Sequence, residues 1–177
     1  MAVFVAYFRR SMESESTEAG PFRLLFVCTG NTCRSPMAEA IARRRVDERG
    51  WTQVEVRSAG AAAFPGSPAS DGAVRVAKAR GLDLTSHEST PLTAELVEEA
   101  DLILTMTSSH LLRVIELGAG ERAAVITSFA EGSEGVLDLG GVPDPIGGPD
   151  EEYAETFDVL DELIVRSLDR LVPVVEP

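Results

Sequence analysis

The stretch Leu24–Ala40, LLFVCTGNTCRSPMAEA, decides how the rest of the chain is read. It holds both cysteines of the sequence, Cys28 and Cys33, with four residues between them and Arg34 directly after the second. Its upstream edge, FRLLFVC (Phe22–Cys28), is a short apolar run suited to a strand buried on both faces. A polar loop, TGNTCR, comes next. Ser35-Pro36 then reads as a helix start, with a capping hydroxyl and a proline in the first turn. MAEAIARRRVDERG continues with Ala, Ile and Val at helical spacing and stops at Gly50.

Outward from this strand, loop and helix, the pattern repeats. TQVEVRSAG alternates as a strand, and SPASDGAVRVAKARG reads as a helix closed by Gly81. TAELVEEA is a short helix, DLILTM a second strongly apolar strand with Met106 in the core, and SSHLLRVIELG a helix. RAAVITSF reads as a further strand, followed by a Gly- and Asp-rich loop from Glu131 to Gly148 and an amphipathic helix from Glu151 to Leu171. The alternation predicts an α/β fold: a single-domain three-layer sandwich, with a four-stranded parallel twisted sheet and helices on both faces. A ligand then sits beyond the carboxyl ends of the strands, where the loop after the first strand lies.

A chain of 177 residues suits one domain with a real core, and 44% hydrophobic with 25% charged residues is ordinary for a globular protein. SMESESTEAG (Ser11–Gly20) is small, polar and acidic, so residues 1–21 read as a flexible extension and 22–177 as the domain. Whether Val3–Phe8 packs anywhere is open. The net charge of −13 argues against nucleic acid or an anionic membrane as partner. The sequence has no transmembrane run of about 18 apolar residues. In MAVFVAYFRRS the apolar residues precede the arginines, the reverse of a secretory signal. Two cysteines make no disulfide scaffold. A cytoplasmic protein, with a monomer as the working expectation, follows.

The loop carries the chemistry. Between a buried strand and a helix N-terminus, curled backbone N–H groups converge and the helix dipole adds positive charge, which suits a tetrahedral dianion. Gly30 lets the backbone take a conformation that a Cβ would resist. Arg34 offers a bidentate grip on two phosphate oxygens. Cys28 would place its sulfur below the phosphorus, in a field that favours the thiolate, with the Ser35 hydroxyl aimed at it and the Asn31 amide bracing the loop. The loop lacks the Gly-Lys-Ser/Thr ending of a nucleotide-binding loop. A lone pair of cysteines spaced this way is a poor zinc site, with His87 and His110 distant and unpaired, so neither metal nor cofactor is expected.

VCTGNTCRSPMAEA resembles the signature loop of the low-molecular-weight protein tyrosine phosphatases. The likeness continues through VRSAG, TPLTAELVEEADLILTMT and DPIGG, from roughly Arg23 to Leu171. It implies a phosphatase that works through a phosphocysteine on Cys28. Arg34 and the loop residues Thr29, Gly30, Asn31, Thr32, Cys33 and Ser35 would bind the phosphate. A general acid in an Asp-Pro dipeptide would be Asp144, since the nearby rival Asp138 lacks the proline. The substrate would be a phosphorylated protein and one product inorganic phosphate.

Tyrosine-specific members usually carry Ile where this chain has Thr32, and place aromatics after the Asp-Pro. Here Ile146-Gly-Gly follows. The chain thus resembles the bacterial protein arginine phosphatases more closely. A Thr32 hydroxyl can orient a guanidinium and its attacking water, and loss of an aromatic clamp weakens the hold on a phenyl ring. Ile146 departs from that subgroup, which has phenylalanine there. Phosphoarginine is the expected substrate and phosphotyrosine the alternative. An arsenate reductase-like enzyme would need two further cysteines, and a non-catalytic anion binder would not need Cys28, Arg34 and Asp144 together.

The resemblance implies that His87 supports Asn31, against a plain surface loop histidine. Ser58 either bonds the phosphate loop or is an ordinary strand-end hydroxyl. Cys33 is expected beside Cys28 as a redox partner able to capture its oxidised form, with a small buried loop residue as the plain reading. His110 and the run Arg43-Arg44-Arg45 read as solvated helix positions. Phe64-Pro65 lines the pocket or anchors a loop, and Trp51 is partly buried.

Overall fold

The computed structural model describes residues 20–133 and 140–176. The expectations for the N-terminal extension and for Asp138 therefore lie almost entirely outside the described residues. The chain runs β1 (Phe22–Cys28), α1 (Arg34–Glu48), β2 (Val54–Gly60), α2 (Asp71–Ala79), α3 (Ala94–Glu99), β3 (Leu102–Thr105), α4 (Ser108–Glu116), β4 (Ala123–Val125), α5 (Ile126–Glu131) and α6 (Asp150–Val175). All strand pairs are parallel, in the order β2-β1-β3-β4.

Period-two alternation along β1 makes the layers. Phe22, Leu24, Phe26 and Cys28 share a core with residues of α1, α2, α5 and α6. Leu25 and Val27 point the other way, into a second core with Val97 of α3 and Val114 of α4. Both faces of β1 are apolar because both are covered. The register pairs Cys28 with Gly60, Val27 with Thr105, and Thr105 with Val125. The carboxyl ends of all four strands thus meet on one edge, and the loop leaving β1 begins there.

Several sequence expectations change in detail. RAAVITSF is a strand only through Val125. At Ile126 the chain turns into α5, burying Ile126 and Phe129 three residues apart in the core, with the Arg170 guanidinium 4.6 Å from the Phe129 ring centre. Ser35 does not cap α1. Cys33 holds the N-cap position without a side-chain bond, and Ser35 sits inside the first turn with its hydroxyl turned elsewhere. Arg43 stays exposed, as a solvated position would, but all three arginines of α1 also reach other elements, and Arg44 and Arg45 are half-buried. Arg43 donates to the Val56 carbonyl on β2, Arg44 to the Arg80 carbonyl after α2 at 3.0 Å, and Arg45 to both carboxylate oxygens of Asp161 on α6, at 3.0 and 2.6 Å. Trp51 is fully buried, with its indole N–H given to Glu176. Among the described residues no helix is long and apolar enough to cross a membrane.

Candidate active site

The loop from Thr29 to Cys33 is shaped by where its carbonyls go. The Cys28 and Thr29 carbonyls accept from Ala61 and Ala62 N–H, at 2.8 and 2.9 Å. That of Asn31 accepts from His87 Nε2 at 2.7 Å, that of Thr32 from Ser70 N–H at 2.8 Å, and that of Cys33 from Met37 N–H at 3.3 Å. These five carbonyls are thus taken up by donors of the protein itself. Among the described residues no backbone N–H from Thr29 to Ser35 has a protein acceptor. A run of backbone donors without protein acceptors at a helix N-terminus is an arrangement suited to an anion.

Asn31 is the keystone. It is fully buried and takes the left-handed conformation, φ 54°, alone among the described non-glycine residues. Its Nδ2 donates to Ser35 Oγ and Ser58 Oγ, both at 2.8 Å, and its Oδ1 accepts from Thr90 N–H at 2.8 Å. Ser58 in turn donates to Glu39 at 2.5 Å. Gly60 is needed at the strand end beside it, because a Cβ there would lie 2.7 Å from the Thr29 carbonyl and 2.8 Å from Asn31 N.

The same network directs the partner of Cys28. Ser35 Oγ lies 2.9 Å from Cys28 Sγ and 3.4 Å from the Ala59 carbonyl. Asn31 already donates to that oxygen, so the serine's single proton is free for the nearer sulfur, where it stabilises a thiolate. Cys28 and Cys33 are buried, free thiols. The Cys33 thiol donates to Ser70 Oγ at 3.1 Å and lies 3.7 Å from the Tyr153 hydroxyl. Burial pushes the Tyr153 phenol up, so it stays neutral.

Arg34, directly after the loop, is buried. Its Nη1 donates to the Val142 carbonyl at 3.1 Å and its Nη2 to Asp144 Oδ2 at 2.5 Å, while its Nε is buried with no hydrogen-bond partner. An orphan guanidinium donor beside a ring of orphan amides calls for an acceptor. The segment carrying Asp144 is held near by Val142, whose N–H donates to the Met106 carbonyl at 2.7 Å at the end of β3. Ile146 N–H donates to Asp144 Oδ1 at 3.2 Å, fixing the carboxylate over its own turn. Ile146 is exposed, as is Phe64 on the loop after β2.

Cys28, Ser35, Asn31, Ser58 and His87 are therefore joined by hydrogen bonds, Arg34 and Asp144 form a second bonded group that meets the first through the backbone at Arg34-Ser35, and Thr29, Gly30, Thr32 and Cys33 lie along the loop. His110 corrects the reading of a solvated helix position. It is 5% exposed, shares hydrogen bonds with Thr29 Oγ1 (2.8 Å) and Thr107 Oγ1 (2.9 Å), and is pushed down to about 4, by burial first and by Arg34 second, with Asp144 opposing. It lies four residues before the buried Val114, on the inward face of α4, and that spacing was the signal for it in the sequence.

This geometry has relatives. The family model described as "Low molecular weight phosphotyrosine protein phosphatase" matches residues 23–172. A protein-arginine-phosphatase of Bacillus subtilis (strain 168) is 43% identical over 143 residues, spanning 80% of this chain and 91% of its own length. One from Geobacillus stearothermophilus is 39% identical over 153 residues, spanning 85% and 97%. Among solved structures, a cysteine-to-serine mutant of YwlE arginine phosphatase with a phosphorylated active-site serine superposes with a TM-score of 0.76 at 38% identity, covering 85% of this chain and 95% of that one. With its sheet, its loop and most of its length in common with these proteins, the chain belongs to the low molecular weight phosphotyrosine protein phosphatase family.

Proposed function

We propose that the chain hydrolyses phosphoarginine in proteins through a phosphocysteine on Cys28. The orphan Arg34 Nε, together with a loop whose amides lack acceptors, carries the reading: a phosphoryl group supplies several charged acceptor oxygens for these donors at once, which a ligand without such acceptors does not. In the first step Cys28 Sγ attacks phosphorus and the P–N bond breaks. The guanidino nitrogen takes its proton from Asp144, and arginine leaves. Asp144 then accepts a proton from water, whose oxygen attacks phosphorus. The S–P bond breaks and inorganic phosphate is released. Arg34 passes from Asp144 to the phosphoryl oxygens when substrate enters, which frees the carboxylate for proton transfer. The phosphorylated serine in the YwlE mutant supports the cysteine position as the phosphoryl acceptor.

The choice of arginine rests on Thr32 and on the two arginine-phosphatase relatives. Thr32 Oγ1 lies at the loop, 3.7 Å from Cys33 Sγ, and presents a hydroxyl where an isoleucine would present methyls. No aromatic side chain follows Asp144 before Tyr153, and Tyr153 is buried against the loop, so a phenyl ring lacks a stacking partner from that segment. Phosphotyrosine is the second reading, favoured by the exposed Phe64 after β2. Free thiols accord with a cytoplasmic protein, and the net charge of −13 with phosphoproteins rather than nucleic acid or an anionic membrane as partners; a monomer suffices for the site.

Two measurements test this. Phosphate release from a small aryl phosphate is abolished by Cys28→Ser; a Cys28→Ser chain that still turns over sinks the nucleophile. In paired peptide assays kcat/KM favours phosphoarginine, and Thr32→Ile shifts the ratio toward phosphotyrosine. A ratio that does not move removes Thr32 from substrate choice.

A further inference from the structure

The Asn31 network anchors the second half of the loop, from Asn31 to Ser35. The first half, Thr29 and Gly30, lies outside it. Thr29 is solvent-exposed, so packing does not hold its side chain, and Gly30 has no side chain to hold. Thr29 follows the nucleophile directly, and its carbonyl is tied to Ala62 on the β2 side. Something must restrain it from the other side if its amide is to point at a phosphoryl oxygen.

We propose that His110 is a positioning residue for the phosphate loop, tying the Thr29 side chain to the first turn of α4. The inference rests on the phosphatase reading above. The parallel register sets Thr105, the last residue of β3, beside Val27, so α4 starts next to the loop. His110 is the third residue of that helix. Its Nε2 shares a hydrogen bond with Thr29 Oγ1 at 2.8 Å and its Nδ1 another with Thr107 Oγ1 at 2.9 Å, and Thr107 Oγ1 lies 2.9 Å from Ser109 Oγ. The buried imidazole is thus held at one end by its own helix and grips the loop at the other. A neutral ring has one donor and one acceptor, and a hydroxyl at each end satisfies either tautomer.

Neutrality is part of the device. The charged groups that act on His110 are Arg34 from α1 and Asp144 from the loop before α6. An imidazolium there would set a second cation beside Arg34 and compete for the Asp144 carboxylate. Burial keeps the ring uncharged above about pH 4, so it orients the loop without altering the exchange of Arg34 between Asp144 and phosphate.

The test is a double-mutant cycle on purified full chain, with an aryl phosphate as substrate and thermal unfolding as a control on folding. His110→Ala and Thr29→Val each lower kcat/KM about tenfold, chiefly through kcat, the size expected for one hydrogen bond that aligns a transition-state donor. The double mutant is no worse than either single one, because both remove the same link. His110→Gln, which keeps a neutral donor and acceptor, recovers most of the loss. Losses that multiply in the double mutant overturn the proposal. So does a fully active Thr29→Val, a surface change that leaves folding intact. Phosphate release by Cys28→Ser would instead break the phosphatase reading, which keeps the two failures apart.

Discussion

Replacing Asn31 separates the two jobs the residue performs. Asn31→Ala removes three side-chain hydrogen bonds, to Ser35, Ser58 and the Thr90 amide, each 2.8 Å long. At about 1 kcal/mol net for each bond, they amount to about 3 kcal/mol. The backbone at φ 54° adds about 1 kcal/mol more for alanine, since left-handed geometry costs L-residues roughly 1–2 kcal/mol and Asn relieves part of that by local bonding. Asn31→Gly loses the same bonds without the conformational cost. The expected order of stability is Asn, then Gly, then Ala, with Gly above Ala by about 1 kcal/mol, the reverse of their order in a helix. In a chain of this size about 4 kcal/mol lowers the melting temperature by roughly 8–16 °C. Circular dichroism through thermal and urea unfolding measures the three proteins side by side. Both variants also lose kcat by about tenfold, because Ser35 is no longer held for Cys28 and can turn its proton to the Ala59 carbonyl. If Ala proves as stable as Gly, the left-handed backbone is not the constraint argued here. If both stay within about 1 kcal/mol of wild type, the Asn31 network does not hold the loop.

His110 also makes the fold acid-sensitive. Its pKa lies at about 4 in the folded chain against 6.5 in the unfolded one, so as pH falls from 6.5 toward 4 the unfolded state takes up a proton that the folded state refuses. Stability is lost across that window, by up to about 3 kcal/mol, and the contribution is level below it. Urea unfolding at pH 7 and pH 4.5 should show a smaller difference in His110→Gln than in wild type, and equal acid sensitivity in the two contradicts the buried neutral ring. For Cys33, peroxide inactivation that a small thiol reverses in wild type should become irreversible in Cys33→Ser. The sulfur must first leave the Ser70 hydroxyl, so Ser70→Ala should speed disulfide formation at low peroxide. Equal recovery in wild type and Cys33→Ser rules out the protective role.

The layer architecture was legible because it depends on local pattern. An apolar run such as FRLLFVC has few options other than a strand covered on both faces, and strand–helix alternation with short links leaves a parallel sheet. The loop chemistry was legible for a related reason. Cys28, the five residues after it and Arg34 are consecutive, so their mutual geometry follows from one turn of chain into a helix N-terminus. Where local pattern misled, a distant partner had the deciding voice. Ser35 has the profile of a helix cap, yet its hydroxyl serves Cys28. RAAVITSF has the composition of a strand, yet Ile126 and Phe129 find a deeper core by turning into α5. Arg44 and Arg45 look solvated until Arg80 and Asp161 are brought to them by other elements.

The amino-acid sequence alone thus determined which backbone carries the loop proposed to bind phosphate, which cysteine heads it and which arginine follows it, since those are relations between near neighbours. Tertiary structure decided what holds that loop in shape. Asn31 is fastened by Ser58, His87 and Thr90 from two other segments, Thr29 by His110 after β3, and Arg34 by Val142 and Asp144 more than a hundred residues away. Hydrogen bonds act over about 3 Å whatever the separation along the chain. Only the parallel register, which gathers four strand ends on one edge, brings those partners within that reach.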